Sequence, residues 1–175
     1  MVLMANLRLR YRKTTFLGNL VLLFFALFLL NALFDLTFFK DIGTALAAAA
    51  VSGILLIVLG LSPFFADHAL TSTELILRQG WYFRAVIPLP NIERIQLVDR
   101  GPLRTGVFFP IASDALYVTA QRNDLVLVTL KKAQRFALAL GKKASLVYFD
   151  TMDKSALLKA MTDKALAPMS SRASS

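Results

Sequence analysis

The sequence contains no cysteine and only one histidine, His68, among its 175 residues. The absence of cysteine excludes disulfide bonds and thiolate metal ligands. With one histidine, any Ser-His catalytic arrangement would depend on that single side chain. His68 lies two residues beyond the second of two long uncharged stretches. We therefore interpret it as a residue of the membrane boundary rather than as a catalytic base.

Other catalytic signatures are also missing from the chain. Gly101 and Gly106 lie on either side of Pro102, but no Lys-Ser or Lys-Thr pair follows them, so they do not form a phosphate-binding loop. The acidic residues are scattered and show no spacing typical of metal ligands. We predict a protein that is not an enzyme and that needs no cofactor and no metal.

Charged residues are absent from two long segments near the start of the chain. Thr14 to Phe34 contains none over 21 positions, and Ile42 to Ala66 contains none over 25. About 20 apolar residues in a helix cross the hydrocarbon core of a bilayer. Helix is the form that satisfies the backbone hydrogen bonds of an isolated apolar run in lipid. We predict a transmembrane α-hairpin over residues 14–66.

The orientation of this hairpin follows from the distribution of basic residues. The segment 1–13 carries Arg8, Arg10, Arg12 and Lys13 and no acid, and 15 Lys/Arg against nine Asp/Glu follow the second stretch. The positive-inside rule then predicts a multi-pass protein of the cell membrane with both termini in the cytoplasm. A cleaved signal peptide is the alternative, but the first run is too long and no A-x-A-like site follows it.

Small residues recur along the second span. Ala45, Ala49 and Gly53 are spaced four residues apart and therefore share one helix face. Small residues allow helix backbones to approach closely in lipid. This face is predicted to pack either against the first span or against another copy of the chain.

Within residues 67–165, apolar and polar residues alternate over short stretches, which is typical of short strands. A hairpin is predicted over 69–78 and 81–87 around Gln79-Gly80, followed by a third strand near 92–97 and a loop over 100–114. Further strands are predicted over 115–120, 125–130, 135–140 and 144–149. An amphipathic helix from about Met152 to Lys164 follows, and Pro168 is expected to end it, so that 166–175 form a disordered tail.

This series of about seven strands closed by a helix is the outline of a pleckstrin-homology-like (PH-like) barrel. The segments Leu70-Thr71, Glu74 to Gly80, Phe83-Arg84 and Ile87 to Ile95 resemble the opening of prokaryotic PH-like domains that follow paired membrane spans. The resemblance covers about residues 67–96 and implies a binding or assembly module with an α+β, mainly-β fold. Phosphoinositide-binding PH domains typically carry Lys/Arg-x-Arg on the second strand, whereas Ala85 and Val86 follow Arg84 here. The sequence therefore does not indicate a headgroup pocket of that type.

We accordingly expect a membrane-anchored, non-catalytic binding module at the cytoplasmic face. The alternative is an accessory subunit of a membrane transport or export complex. Expected partners are the lipid bilayer and either a protein or a second copy, with anionic lipid as a further candidate. No nucleic-acid motif accompanies the basic residues near Lys131 and Lys142, so no nucleic-acid partner is expected. The candidate surface contacts are Arg8, Arg10, Arg12, Lys13, Arg100, Arg104, Phe108 and Phe109.

The connection from Gly106 to Ile111 is unusually apolar for a loop. It could complete the core, form a contact surface for a partner or a second copy, or enter the bilayer interface. We hypothesise that Phe108 and Phe109 are exposed in the isolated domain and covered in the complete protein.

Overall fold

The computed structural model describes residues 6–37, 42–102, 104–110, 113–136 and 143–170. The chain divides into two compact units. The helical unit comprises Lys13–Ala66 together with Gln79–Phe83. The β unit comprises the described residues before Lys13, those of Asp67–Arg78 and those from Arg84 onward. Two apolar helices are thus followed by two sheets of mostly antiparallel strands and a C-terminal helix.

The helical unit contains α1 (Thr14–Thr37) and a second, longer helical segment. That segment begins as α2 (Ile42–Leu55), continues as a π-helix (Leu56–Leu61) and ends in a 3-10 turn (Ser62–Phe65). Windows of 18 and 24 residues have mean hydropathies of 2.3 and 2.4, so both helices are long and apolar enough to cross a membrane. Their side chains are largely exposed, Leu22 by 71% and Leu29 by 64%, unlike those of a core helix in a soluble protein.

The two helices run antiparallel and are joined by polar and close-packed contacts. Asn31 Nδ2 donates to Ser52 Oγ at 2.7 Å, and Lys13 Nζ donates to the carbonyl oxygen of Phe64 at 2.7 Å. A Cβ at Gly60 would lie 2.5 Å from Cδ1 of Leu20, so this glycine permits the close approach.

The small-residue face predicted from the sequence does not make the contact with α1. Ala49 is exposed, and a Cβ at Gly53 would meet no atom within 4 Å. Ser52 and Gly60 lie at the contact instead, where Ser52 accepts a hydrogen bond from Asn31 and Gly60 faces Leu20. The interpretation of Ala45, Ala49 and Gly53 as a seam within the hairpin is wrong, and packing against another copy stays a prediction.

The β unit begins before the first helix. Its first sheet has the order β1-β2-β3-β4, formed by Leu7–Leu9, His68–Leu70, Glu74–Gln79 and Phe83–Pro88. The strand predicted over 69–78 is interrupted because Thr71 Oγ1 accepts the Glu74 N–H at 3.0 Å and closes a turn. The pairing of Leu7–Leu9 with β2 was not predicted from the sequence.

The second sheet has the order β5-β8-β9-β7-β6. Its strands are β5 (Ile92–Arg100), β6 (Gly106–Phe108), β7 (Ala115–Thr119), β8 (Asn123–Arg135) and β9 (Lys143–Asp150). All of its pairs are antiparallel except β7 with β9, which is parallel.

Two sequence predictions for this sheet are corrected. Strand β6 lies within the segment 100–114 that was predicted to be a loop. A single strand, β8, replaces the strands predicted over 125–130 and 135–140, with a register shift between Thr129 and Gln134. Residues 137–140 lie outside the described residues.

The chain thus has nine strands over its described residues, eight of them after the second helix. The C-terminal helix α3 runs from Lys154 to Ser170, past Pro168 where the sequence predicted its end. Residues 166–170 of the predicted tail are therefore helical, and 171–175 lie outside the described residues. Leu157, on the predicted apolar face of the helix, is fully buried. The core of the β unit also contains Leu9, Leu75, Leu77, Ile87, Leu116, Val126, Val147 and Phe149.

Candidate binding surface

The basic N-terminal segment is part of the β unit rather than a free extension. The Arg10 N–H donates to Asp153 Oδ2 at 2.8 Å, while the Arg10 carbonyl accepts from Thr151 Oγ1 at 3.0 Å and from the Met152 N–H at 2.7 Å. Leu9 and Tyr11 are buried on either side of it. This segment therefore completes the core between β2 and the start of α3.

Two of the predicted surface arginines form ion pairs within the β unit. Arg8 contacts Asp67, and Arg10 Nη2 lies 3.5 Å from Asp153 Oδ1. The arginine side chains remain 72% and 68% exposed, whereas those of Asp67 and Asp153 are only 6% and 23% exposed, so each pair joins a solvated cation to a largely buried carboxylate. Arg12 is also exposed, whereas Lys13 is half-buried and belongs to the helical unit.

His68 lies in the core and not at the membrane boundary, so that expectation is wrong. Its ring stacks on Tyr11 at 4.8 Å and meets Phe149 edge-on at 5.6 Å. Its Nδ1 accepts the Arg78 N–H at 3.1 Å. Burial lowers the pKa of His68 to about 3, so the imidazole is neutral at physiological pH and has a structural role.

A row of side chains in register crosses the five strands of the second sheet. The pairings Phe108–Tyr117, Tyr117–Tyr148, Tyr148–Leu127 and Leu127–Gln96 place one residue of each strand in this cross-strand row. All five residues are half-buried. Successive side chains of a strand point to opposite faces, so these five lie together on one face of the sheet.

The three aromatic rings of the cross-strand row are stacked in parallel. The centroids of Phe108 and Tyr117 are 4.7 Å apart with planes 5° from parallel, and those of Tyr117 and Tyr148 are 4.6 Å apart at 10°. Both faces of Tyr117 are therefore covered, and its ring edge remains for a partner. A base cannot stack on a covered face, which argues against a single-stranded nucleic-acid platform at Tyr117.

The row has a polar and a cationic component. Burial, and then the neighbouring Tyr148, raise the pKa of Tyr117, whose protonated hydroxyl forms a hydrogen bond with Tyr148. The guanidinium carbon of Arg104 lies 5.8 Å from the Phe108 ring centroid. Ring edges carry partial positive charge, so the surface suits a partner that offers apolar groups and hydrogen-bond acceptors.

The remaining predicted contacts are placed near this row or beside it in the chain. Phe109 is half-buried and follows Phe108 directly, and Arg100 is exposed at the end of β5, in register with Asn123 of β8. Tyr117 and Tyr148 were missed because they lie in unremarkable strand sequences. Only the sheet register brings them beside Phe108, and the sequence does not encode that register in any local pattern.

Comparison of the chain with protein-family models, with curated proteins and with solved structures gives no match.

Proposed function

We propose that this protein is a membrane-anchored, non-catalytic binding and assembly module with a PH-like cytoplasmic domain. The cross-strand row carries the proposal, because three ordered aromatic side chains on one sheet face are left half-buried beside an arginine. The mostly antiparallel strands followed by a C-terminal helix, together with the motif residues between 67 and 96, support the PH-like assignment. The parallel β7–β9 pair was not anticipated by that resemblance.

The apolar helices support membrane anchoring in two passes, and the basic residues before the first helix favour termini in the cytoplasm. Leu22, Phe28 and Leu29 are each at least 60% exposed, and leaving such side chains in water costs about 1.5–3 kcal/mol each. Lipid removes that cost. The Lys13–Phe64 contact joins the beginning of the first helix to the end of the second, which is consistent with both lying at one leaflet.

The partner that best suits the row is a protein segment or a second copy of this chain. Tyrosine and arginine are enriched in the energetically dominant parts of protein interfaces, where apolar contact combines with a few hydrogen bonds. An anionic headgroup would use Arg104 and the hydroxyls but would leave the stacked ring edges without an apolar partner. The row therefore favours protein over lipid as the occupant of this surface.

Site-specific photocross-linking in the full chain tests this proposal. A benzophenone amino acid replaces Tyr117 in native membranes, and the control replaces Leu97. Leu97 is 51% exposed and adjacent to Gln96 on β5, so it points to the opposite face of the sheet. We expect discrete protein adducts from Tyr117 that disappear with Phe108→Ser. Two differently tagged copies identify self-association, and equal labelling from both positions would contradict the proposal.

A groove in the hairpin favours a second candidate, an accessory subunit whose spans make the essential contacts. It has a volume of about 450 Å³ and lies between α1 and α2, with Leu27, Asn31, Ala48 and Ser52 among its lining residues. Ala48→Leu would fill this groove and Tyr117→Ser would disrupt the row. The variant that abolishes association in the full chain identifies which surface carries it.

A further inference from the structure

The turn between β3 and β4 groups with the helical unit and contacts the end of the second helix. The Trp81 N–H donates to Ser62 Oγ at 3.0 Å, and the same hydroxyl donates to the Val58 carbonyl. Ser62 is fully buried, so the hydroxyl has both of its partners within the protein. The two hydrogen bonds of the Ser62 hydroxyl therefore hold the turn against the end of the helix.

Gly80 allows the turn to come this close. Its φ of +62° lies in the left-handed region, and a Cβ at this position would lie 2.3 Å from Ser62 Oγ. A side chain would have to displace the serine hydroxyl. Backbone conformation and contact distance thus both require glycine at the point where the turn meets the helix.

The fixed turn leaves large apolar side chains uncovered. Trp81 is 66% exposed, Phe65 at the end of the 3-10 segment is 71% exposed, and Leu61 is 38% exposed. These residues continue the exposed apolar surface of the second helix. Single exposed hydrophobic residues are ordinary, but a tryptophan at the end of an apolar helix surface is typical of a membrane–water interface.

Polar groups at the same end of the helical unit match that environment. Lys13 Nζ donates to the Phe64 carbonyl at 2.7 Å, which places a cation at the C-terminal end of the second helix. Tyr82, next to Trp81, is half-buried. Lysine, tyrosine and tryptophan all combine an apolar body with a polar tip and are favoured at the headgroup level.

We propose that the β3–β4 turn is a third membrane contact of this protein, with the Trp81 indole in the headgroup region of the leaflet where the second helix ends. The inference assumes the membrane insertion of the helices proposed above and assigns the bilayer interface, not a protein, as the partner of Trp81. A contact of this kind would hold the turn at a fixed depth.

The chain provides its own probe, because Trp81 is its only tryptophan. The full-length protein is reconstituted in phosphatidylcholine vesicles containing lipids brominated either near the headgroup end or near the terminus of the acyl chain. We expect blue-shifted Trp81 emission, stronger quenching by the shallow bromines than by the deep ones, and protection from aqueous iodide relative to N-acetyltryptophanamide.

Phe28→Trp in a Trp81→Phe background is the matched reference for depth, since Phe28 lies in the middle of α1 and is 60% exposed. Its emission should be quenched best by the deep bromines, which tests insertion of the helices independently. Iodide-accessible Trp81 emission without bromolipid quenching would overturn the inference while leaving insertion intact. Blue-shifted emission that no bromolipid quenches would also overturn it, because the indole would then be covered by protein.

Discussion

Leu9 and His68 are register partners in β1 and β2, although one precedes the first membrane-length helix and the other follows the second. The strands that enter and leave the hairpin are therefore hydrogen-bonded neighbours in one sheet. The segment before the first helix, which was predicted to be a separate basic N-terminus, supplies the edge strand of the first sheet of the β unit. As a consequence, a fragment that begins at residue 67 lacks an edge strand and two buried side chains, Leu9 and Tyr11.

Truncation of Leu9 is expected to destabilise the β unit strongly. The side chain is fully buried, so Leu9→Ala removes about 3 kcal/mol from the free energy of unfolding through lost burial and a residual cavity. Chemical unfolding of the full chain in detergent micelles measures this. Arg12→Ala, at an exposed position of the same segment, should change the same quantity by less than about 1 kcal/mol. Equal effects of the two variants would show that β1 is not part of the folded core.

Introduction of a charge at Leu157 is expected to detach α3. The residue is fully buried, and an unpaired carboxylate there costs several kcal/mol, which is comparable with the whole stability of a small domain. Leu157→Asp should therefore lower the melting temperature of the full chain sharply. Ser155→Asp adds the same charge at an exposed position of the same helix and should leave it nearly unchanged.

Gly80→Ala is expected to destabilise the turn at the end of the second helix, whereas Gly53→Ala is expected to be tolerated. Gly80 has positive φ and no space for a Cβ, and these together cost about 1–3 kcal/mol. Gly53 has open space around it and gains helix propensity as alanine. A Cβ at position 80 would also lie 2.7 Å from Cε1 of Tyr82, and Ser62→Ala removes the acceptor of the Trp81 N–H, so adding Ser62→Ala should not restore the stability lost in Gly80→Ala.

Asp150 and His68 should give opposing pH dependences of stability. Burial raises the pKa of Asp150 to about 6, so the stability from its protonated form is full below pH 3.8 and is lost as pH rises through 6. Burial lowers the pKa of His68 to about 3, so the stability from its neutral form is full above pH 6.5 and is lost as pH falls towards 3. In the wild type the two contributions partly cancel between pH 4 and 6.

Asp150→Asn removes the pH-dependent contribution of Asp150 and leaves that of His68. The amide oxygen can still accept the Ala120 N–H, which donates to Asp150 Oδ1 at 2.7 Å. From pH 7 to 5 the variant should lose about 2 kcal/mol of stability through His68 alone, and the wild type should lose less. Melting curves followed by circular dichroism at several pH values measure the two slopes. Asp114→Asn, at an exposed carboxylate, should follow the wild-type slope.

Both ends of the hairpin are expected at the cytoplasmic face. The chain has no cysteine, so single cysteines at Thr37 and Ser113 can be labelled without background. An impermeant thiol reagent applied to intact cells should label position 37, at the end of α1, and not position 113 in the β unit. Labelling of position 113 alone would show the orientation opposite to the one predicted from the basic residues before the first span.

Local sequence patterns predicted the two helices, the approximate positions of β3, β4, β5, β7 and β9, and the burial of Leu157 in α3, whereas Met152 of the predicted apolar face lies before the helix and is 67% exposed. Each of these follows from a local pattern: an uncharged run for membrane-length helices, alternation for strands, and spacing of three or four residues for an amphipathic helix. The sequence also predicted Phe108, from the unusually apolar connection that contains it, and the nearby Arg104 as surface contacts. It did not show that Phe108 lies in a strand, because three residues are too few for a periodic signal.

The pairing of β1 with β2, the burial of His68 and the stacking of Phe108, Tyr117 and Tyr148 are visible only in the folded chain. These relationships join residues far apart in the chain, and each depends on sheet register. A one-residue change of register turns every side chain of a strand to the other face, so no local pattern can specify which residues meet. The same reason explains why Trp81 resembled an ordinary hairpin residue in the sequence, while its hydrogen bond to Ser62 fixes it at the end of the second helix.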